Sequence, residues 1–400
     1  MTQASELLSV KPAPYTRIVG AVSAAHFVSH YYIIVLAPLI PFVRADYGIS
    51  YTEIGLVLAV FNTVSAVLQA PAGFLVDRLG ARLPLIGALL IGAVALTVAA
   101  FVHSYWVLLA MFAVAGIGNA IYHPADYALL SHHVPGERIG PAFSIHTFAG
   151  MAGSAAAPPT LLMMQSLWGW RGAFIGAAII GFAVAAVLLA VREQAAAAPT
   201  KQRGKSGDAA EWRVLLSPAI LLNLLFFVLL AIISGGVYNY SVAALGVLYA
   251  TPVAAANAAL TGFLSLSAIG VLAGGLLVTR TRRHGLVAAC GLAMTAFFIA
   301  LVGEVDLGPL LVIAAMTAAG FASGVIMPSR DMIVREVTPP GSFGKVFGFV
   351  TTGFNIGGII APLVFGAIMD HGSPRLVFFG VAACSLVAIL TVATRPRRVD

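Results

Sequence analysis

The stretch Gly73-Phe74-Leu75-Val76-Asp77-Arg78-Leu79-Gly80-Ala81-Arg82 joins two long apolar runs, roughly 51–76 and 83–102. A helix needs ~20 apolar residues to cross the hydrocarbon core of a bilayer, and both runs are long enough. The stretch therefore reads as a tight turn between two membrane spans. Gly80 permits the turn, and Gly73 permits close helix approach.

Working outward, ten more such runs appear. The set is roughly 17–43, 51–76, 83–102, 105–131, 140–165, 171–192, 215–247, 254–279, 284–303, 308–334, 342–369 and 375–394. Composition agrees: of 400 residues, 60% are hydrophobic and 9% charged, with mean hydropathy +0.98. Soluble domains carry about 25% charged residues, so the expected solvent is lipid. The 41 glycines suit closely packed membrane helices. The first sixteen residues are polar and show no small-residue cleavage site, so the first span is read as retained. Cys290 and Cys384 both lie inside apolar spans and read as packing residues.

The net charge of +7 sits mostly in short loops, which is an orientation signal and not a nucleic-acid surface. Alternate loops hold Lys11, Arg17, Arg78, Arg82, Arg138, Arg280, Arg282, Arg283, Arg335 and Lys345, and the opposite set only Arg44, Arg171 and Arg375. The asymmetry places both termini in the cytoplasm of a bacterial inner membrane protein. The one long polar connector, 193–213, divides the chain into an N-terminal bundle (1–192) and a C-terminal bundle (214–400) of six helices each.

The halves repeat. At an offset of 204, Pro124 aligns with Pro328, Pro135 with Pro339, Gly140 with Gly344, Phe143 with Phe347, Gly153 with Gly357, Pro158 with Pro362 and Arg171 with Arg375. Parallel halves related by an axis along the membrane normal describe the major facilitator architecture. The expected fold is an all-α membrane protein with twelve transmembrane helices in two pseudo-symmetric six-helix bundles. The stretch at Gly73, Asp77, Arg78, Gly80 and Arg82 resembles the signature loop of that superfamily, G-x-x-x-D-R-x-G-x-R. The resemblance implies a gating role for these five residues. Asp77 is expected near the positive N-terminus of the eleventh span, by Ser342. Arg78 and Arg82 are expected to hold partners such as Glu137. In the second half Thr279 replaces the aspartate, so the lock is assigned to the first half.

Three further segments narrow the resemblance. They are His26-Phe-Val-Ser-His30-Tyr31 in the first span, Gly116-Ile-Gly118-Asn119 with Tyr122-His123-Pro124-Ala-Asp126 in the fourth, and Gly140 to Pro158 with His146 in the fifth. Together they are similar to the fosmidomycin-resistance branch, which implies proton-driven export. Ala157 stands before Pro158 where proton antiporters often carry glycine, which weakens a drug-antiporter inference.

Charge inside a membrane costs ~2.5–3.5 kcal/mol even on the mild insertion scale, so buried ionisable groups mark candidate sites. Asp126 and Arg330 are repeat-equivalent, and they are expected to pair across the cytoplasmic mouth of an outward-facing carrier; Arg330 could instead pair with Asp331. His26 and His30 are four apart and share a helix face. With His123 and Asp126 they are the proton-coupling candidates, since histidine titrates near neutral pH. Tyr31, Asn62, His146, Tyr238, Asn239, Tyr240, Arg330 and Asn355 are the substrate-cavity candidates, with helix–helix hydrogen bonding as the alternative role. Gly235-Gly236 is read as an interruption of the seventh span beside Tyr238. Metal is set aside, because no carboxylate accompanies the first-span histidine pair at ligand spacing.

The expected function is proton-coupled movement of a small organic solute by alternating access, in the direction of export. An uptake symporter or facilitator for an organic anion or other metabolite is the alternative. The sequence has no nucleotide-binding glycine loop, no H-E-x-x-H and no sizeable soluble domain, so an enzyme is not expected. Neither is a cofactor. The expected partners are the solute, protons and lipid, with one chain acting alone.

Overall fold

A computed structural model describes residues 14–190, 215–339 and 343–393. The expected connector 193–213 and Ser342 lie outside the described residues. The helices are α1 (Pro14–Ile34), α2 (Ile40–Tyr47), α3 (Tyr51–Leu79), α4 (Arg82–Phe101), α5 (Tyr105–His133), α6 (Ile139–Ala190), α7 (Pro218–Tyr249), α8 (Val253–Arg280), α9 (His284–Glu304), α10 (Gly308–Val337), α11 (Phe343–Asp370) and α12 (Arg375–Ala393). The first span is α1 and α2 joined by a short 3-10 turn at Ala37–Leu39, where Pro38 interrupts the helical ladder.

The longest helix, α6, settles the count. Its 52 residues would reach about 78 Å at 1.5 Å per residue, far beyond a hydrocarbon core of ~30 Å. The backbone turns at Gly169, with φ 70° and ψ 174°. That left-handed φ is open to glycine at no steric cost. The fifth and sixth spans are therefore two crossings folded about one glycine, and the described residues make twelve crossings.

Sequence explains the other boundaries. Ser50 accepts from the Glu53 amide at 3.1 Å, while Glu53 accepts from the Ser50 amide at 2.7 Å, a reciprocal cap for α3. Gly80 ends α3 at φ 78°, as its place in the signature loop requires. The predicted break at Gly235-Gly236 does not occur. Residues 218–249 form one helix, and the two glycines instead admit neighbours. A side chain at Gly235 would meet Ala361, and one at Gly236 would meet Phe365 and Val381.

The internal repeat is visible in the packing. A Cβ at Gly116 of α5 would run into the carbonyl of Phe61 in α3, and one at Gly320 of α10 would run into that of Phe263 in α8. Gly153 likewise faces the carbonyl of Phe27, and Gly357 that of Val228. Each pair of small residues lets two backbones touch, which is how helices associate where lipid supplies no hydrophobic drive.

Candidate functional site

Two places bring polar groups together inside the membrane region. The first joins the halves. Asp370, at the end of α11, accepts the Tyr51 amide at 2.8 Å and the Thr52 amide at 2.7 Å. These are unsatisfied N–H groups of the α3 first turn, where a carboxylate is also favoured by the helix dipole. Asn62 donates to the Gly358 carbonyl of the other half at 3.0 Å, and within the second half Tyr240 donates to the Pro362 carbonyl at 2.7 Å. Gly55 and Gly366 admit the close approach of α3 and α11 here. At the other end of the same two helices, Gly73 and Gly348 face open space, with no atom within 4 Å of an added Cβ. The halves are therefore closed at the Asp370 end and splayed at the Gly73 end.

The splayed end corrects several expectations. Gly73 makes no close helix contact. Asp77 and Arg78 are exposed and have no ion pair among the described residues. Arg82 does not reach Glu137. It donates to the Leu188 carbonyl at 2.9 Å and the Leu189 carbonyl at 2.9 Å, closing the C-terminal end of α6, where carbonyls lack helical partners.

The second place is a histidine–carboxylate cluster within the first half. Asp126 of α5 is fully buried. Its Oδ2 lies 3.0 Å from His146 Nε2 of α6 and 3.3 Å from His26 Nδ1 of α1. The His26 and His146 rings stack at 3.8 Å. His30 packs edge-on to His26 at 4.7 Å, and His123 lies 5.3 Å from His26. His30 Nδ1 is also 3.2 Å from Ser154 Oγ. Gly150 makes room for the arrangement, because a Cβ there would meet His26 at 2.6 Å and His30 at 3.0 Å. His26, Asp126 and His146 form the closed interior, while His30, His123 and the exposed Tyr127 form its edge. Tyr127 lies 5.9 Å from both His123 and His146.

All four proton-coupling candidates thus meet in one cluster. His146 lies with them. Of the cavity candidates, Tyr31 is 1% exposed and hydrogen-bonds Thr160 at 2.7 Å, and Tyr240 is 0% exposed. Asn62 takes its alternative role as a hydrogen bond between helices. Tyr238 is half-buried against Phe263. Asn239 and Asn355 are half-buried with no hydrogen bond from their amides among the described residues. Arg330 does not meet Asp126. It bonds its neighbour Asp331 at 2.8 Å and lies over Phe227 at 4.9 Å and Phe354 at 5.3 Å. A carboxylate does reach the first-span histidines, by tertiary contact from α5, which sequence spacing could not reveal. Sequence reasoning missed Ser154 and Asp370, and it noted Gly150 only as part of the fifth-span segment from Gly140 to Pro158, not as room for the histidines. Ser154 is a lone hydroxyl, and Asp370 read as ordinary loop charge.

Two six-crossing halves, closed at one end and splayed at the other, with ionisable groups held inside, have the form of a polytopic membrane transporter. The chain belongs to the Major Facilitator Superfamily, whose sequence profile matches residues 22–254 and 224–400. It is 27% identical to a probable sulfoacetate transporter, SauU, of Cupriavidus necator, over 90% of this chain and 89% of that one. It is 25% identical to the fosmidomycin resistance protein of Escherichia coli, over 94% of this chain and 92% of that one. Among solved structures, the nucleoside transporter NupG superposes with a TM-score of 0.77 at 14% identity, over 95% of this chain and 98% of that one. Transport by this family is not enzymatic.

Proposed function

We propose that this transporter exports a small organic solute in exchange for protons. The observation that carries the reading is Asp126, a carboxylate with no exposure, bracketed by two histidines. A buried charge is expensive, so its protonation state changes the energy of the surrounding helices. A proton arriving at His30 or His123 passes through His26 or His146 to Asp126. The loaded and unloaded clusters then favour different positions of the two bundles, 1–192 and 214–400, about the connector 193–213. On the loop-charge assignment both termini and the splayed end face the cytoplasm, so this is the inward-open form in a bacterial inner membrane. Asp77 and Gly73 then await α11 in the outward-open form. Each chain works as a monomer. The fosmidomycin resistance protein and the multi-drug resistance efflux pump PmrA of Streptococcus pneumoniae, 22% identical over 87% of this chain, support export.

A second reading is uptake or facilitated passage of an organic anion, and Arg330 favours it. Its guanidinium is held over two aromatic rings in the second half, Phe227 and Phe354. The relatives named for sulfoacetate and galactonate transport fit an anionic solute.

The test is proton flux in proteoliposomes containing a pH dye, screened with organic anions, sugars and cationic drugs. A solute-dependent pH change, lost in Asp126→Asn, is expected. Solute movement without any pH change would refute proton coupling and leave the uniport reading.

A further inference from the structure

We infer that the His26–Asp126–His146 cluster is a transition-metal site, and that a divalent ion such as Zn²⁺ or Co²⁺ bound there blocks the carrier. Three observations carry the inference. First, the donors converge from three helices. His26 Nδ1, His146 Nε2 and a carboxylate oxygen of Asp126 all lie within 4.8 Å of one another. Ligands about 2.0–2.1 Å from a tetrahedral zinc stand about 3.3 Å apart, and the two nitrogens are 3.3 and 3.0 Å from Asp126 Oδ2. Second, the cluster is only partly satisfied, with one hydrogen bond, between His146 Nε2 and Asp126 Oδ2, among the proposed ligand atoms. His26 Nδ1 points off the hydrogen-bond direction to Asp126, and Asp126 Oδ1 and His123 Nδ1 have no hydrogen-bond partner among the described residues. Buried polar atoms are otherwise nearly always paired. Third, the donor chemistry is selective. Two imidazoles and one carboxylate suit zinc, cobalt or nickel and not magnesium or calcium, which take oxygen ligands. His123, its ring 5.3 Å from that of His26, lies at the cluster edge outside the three-residue donor set.

A bound ion needs the lone pairs that a proton would take, so metal and proton exclude each other. The binding stands on geometry alone; the blockade rests on the proton reading of the same residues. The groups around the cluster are His30 on α1 and Tyr122, His123 and Tyr127 on α5.

The experiment is a Co²⁺ titration of the purified, tag-free, chelator-treated protein in detergent, read by visible absorption, beside proton flux in proteoliposomes. One Co²⁺ per chain with the intense bands of a tetrahedral site is expected. Affinity should fall more than ~100-fold in Asp126→Asn and in His146→Gln, given that even second-shell changes cost 10–100-fold. The variant His132→Gln/His133→Gln, altered in the last turn of α5 away from the cluster, should bind as the parent does. Zn²⁺ should suppress proton flux. Absence of saturable binding, or bands retained in both cluster variants that still elute as folded monomer, would overturn the metal site. Intact proton flux in that case would leave the coupling reading standing. Binding that occurs without suppression of flux would overturn the blockade.

Discussion

Asp126 and Arg330 occupy the same place in the two halves, 204 residues apart, yet their surroundings are chemical opposites. Contacts of Phe27 with Gly153 and of Val228 with Gly357 set an offset of 201 between the first and seventh spans. His26 then corresponds to Phe227, and His30 to Ala231. At the 204 offset, His123 corresponds to Met327, His146 to Val350 and Gly150 to Phe354. The first half surrounds a carboxylate with imidazoles, and the second lays a guanidinium over phenyl rings. A carboxylate among histidines can exchange a proton, whereas Arg stays charged at any working pH. A guanidinium over aromatic faces is held by cation–π attraction. One scaffold thus sets a carboxylate–histidine cluster in one half against an arginine, paired with Asp331 and laid over aromatic rings, in the other.

The largest expected effect breaks this division. Asp126→Asn should lower solute-driven proton flux by ~100-fold or more, in line with the 10²–10⁴-fold weight of a positioned proton-transfer group. Arg330→Gln should leave proton coupling present and act on solute affinity, raising KM by about tenfold for an anion, the equivalent of ~1.4 kcal/mol. Proteoliposome flux at several solute concentrations separates the two. If both variants lose coupling equally, the division between halves is wrong.

The next prediction concerns what the halves share. Gly116→Val and Gly320→Val should each destabilise the protein by ~1–3 kcal/mol, as overpacking does, read as a fall in Tm in detergent. Similar losses are expected, since both glycines face a carbonyl of the neighbouring helix. Asp370→Asn weakens the closed end by about 1 kcal/mol, the usual worth of a helix cap. Spin labels at Val102→Cys and His371→Cys, exposed turns in opposite halves, should then show a larger long-distance population by electron resonance. The smallest effect is expected from Arg82→Ala. Loss of its bonds to Leu188 and Leu189 should cost about 0.5–1 kcal/mol, with transport retained in the splayed form. Its counterpart at the 202 offset, His284, is buried 3.9 Å from Glu336. His284→Ala tests whether the second half uses a different tie.

The crossings were legible because each is a long apolar run ended by charge, glycine or proline. The repeat was legible because Gly and Pro mark backbone contacts that both halves must keep. Gly235-Gly236 misled because glycine in a membrane helix serves close packing at least as often as a break. Of the site, the helix-face spacing of His26 and His30 foretold their contact. The arrival of His146 at Asp126 depended on the angle between α5 and α6, which no local pattern encodes. The burial of Tyr31 and Tyr240 was illegible for a related reason. In a span buried on several sides, a polar residue facing a helix seam and one facing a pore have the same neighbours in sequence.

The closed end is sealed largely by main-chain atoms, the Tyr51 and Thr52 amides and the Gly358 carbonyl. Parting the halves there therefore uncaps α3. Each opening must release the Tyr51 and Thr52 amide hydrogens to solvent, so their rate of hydrogen–deuterium exchange is a clock for the outer gate. The amide of Glu53, which keeps Ser50 as its own cap in either state, is the reference against which that clock can be read.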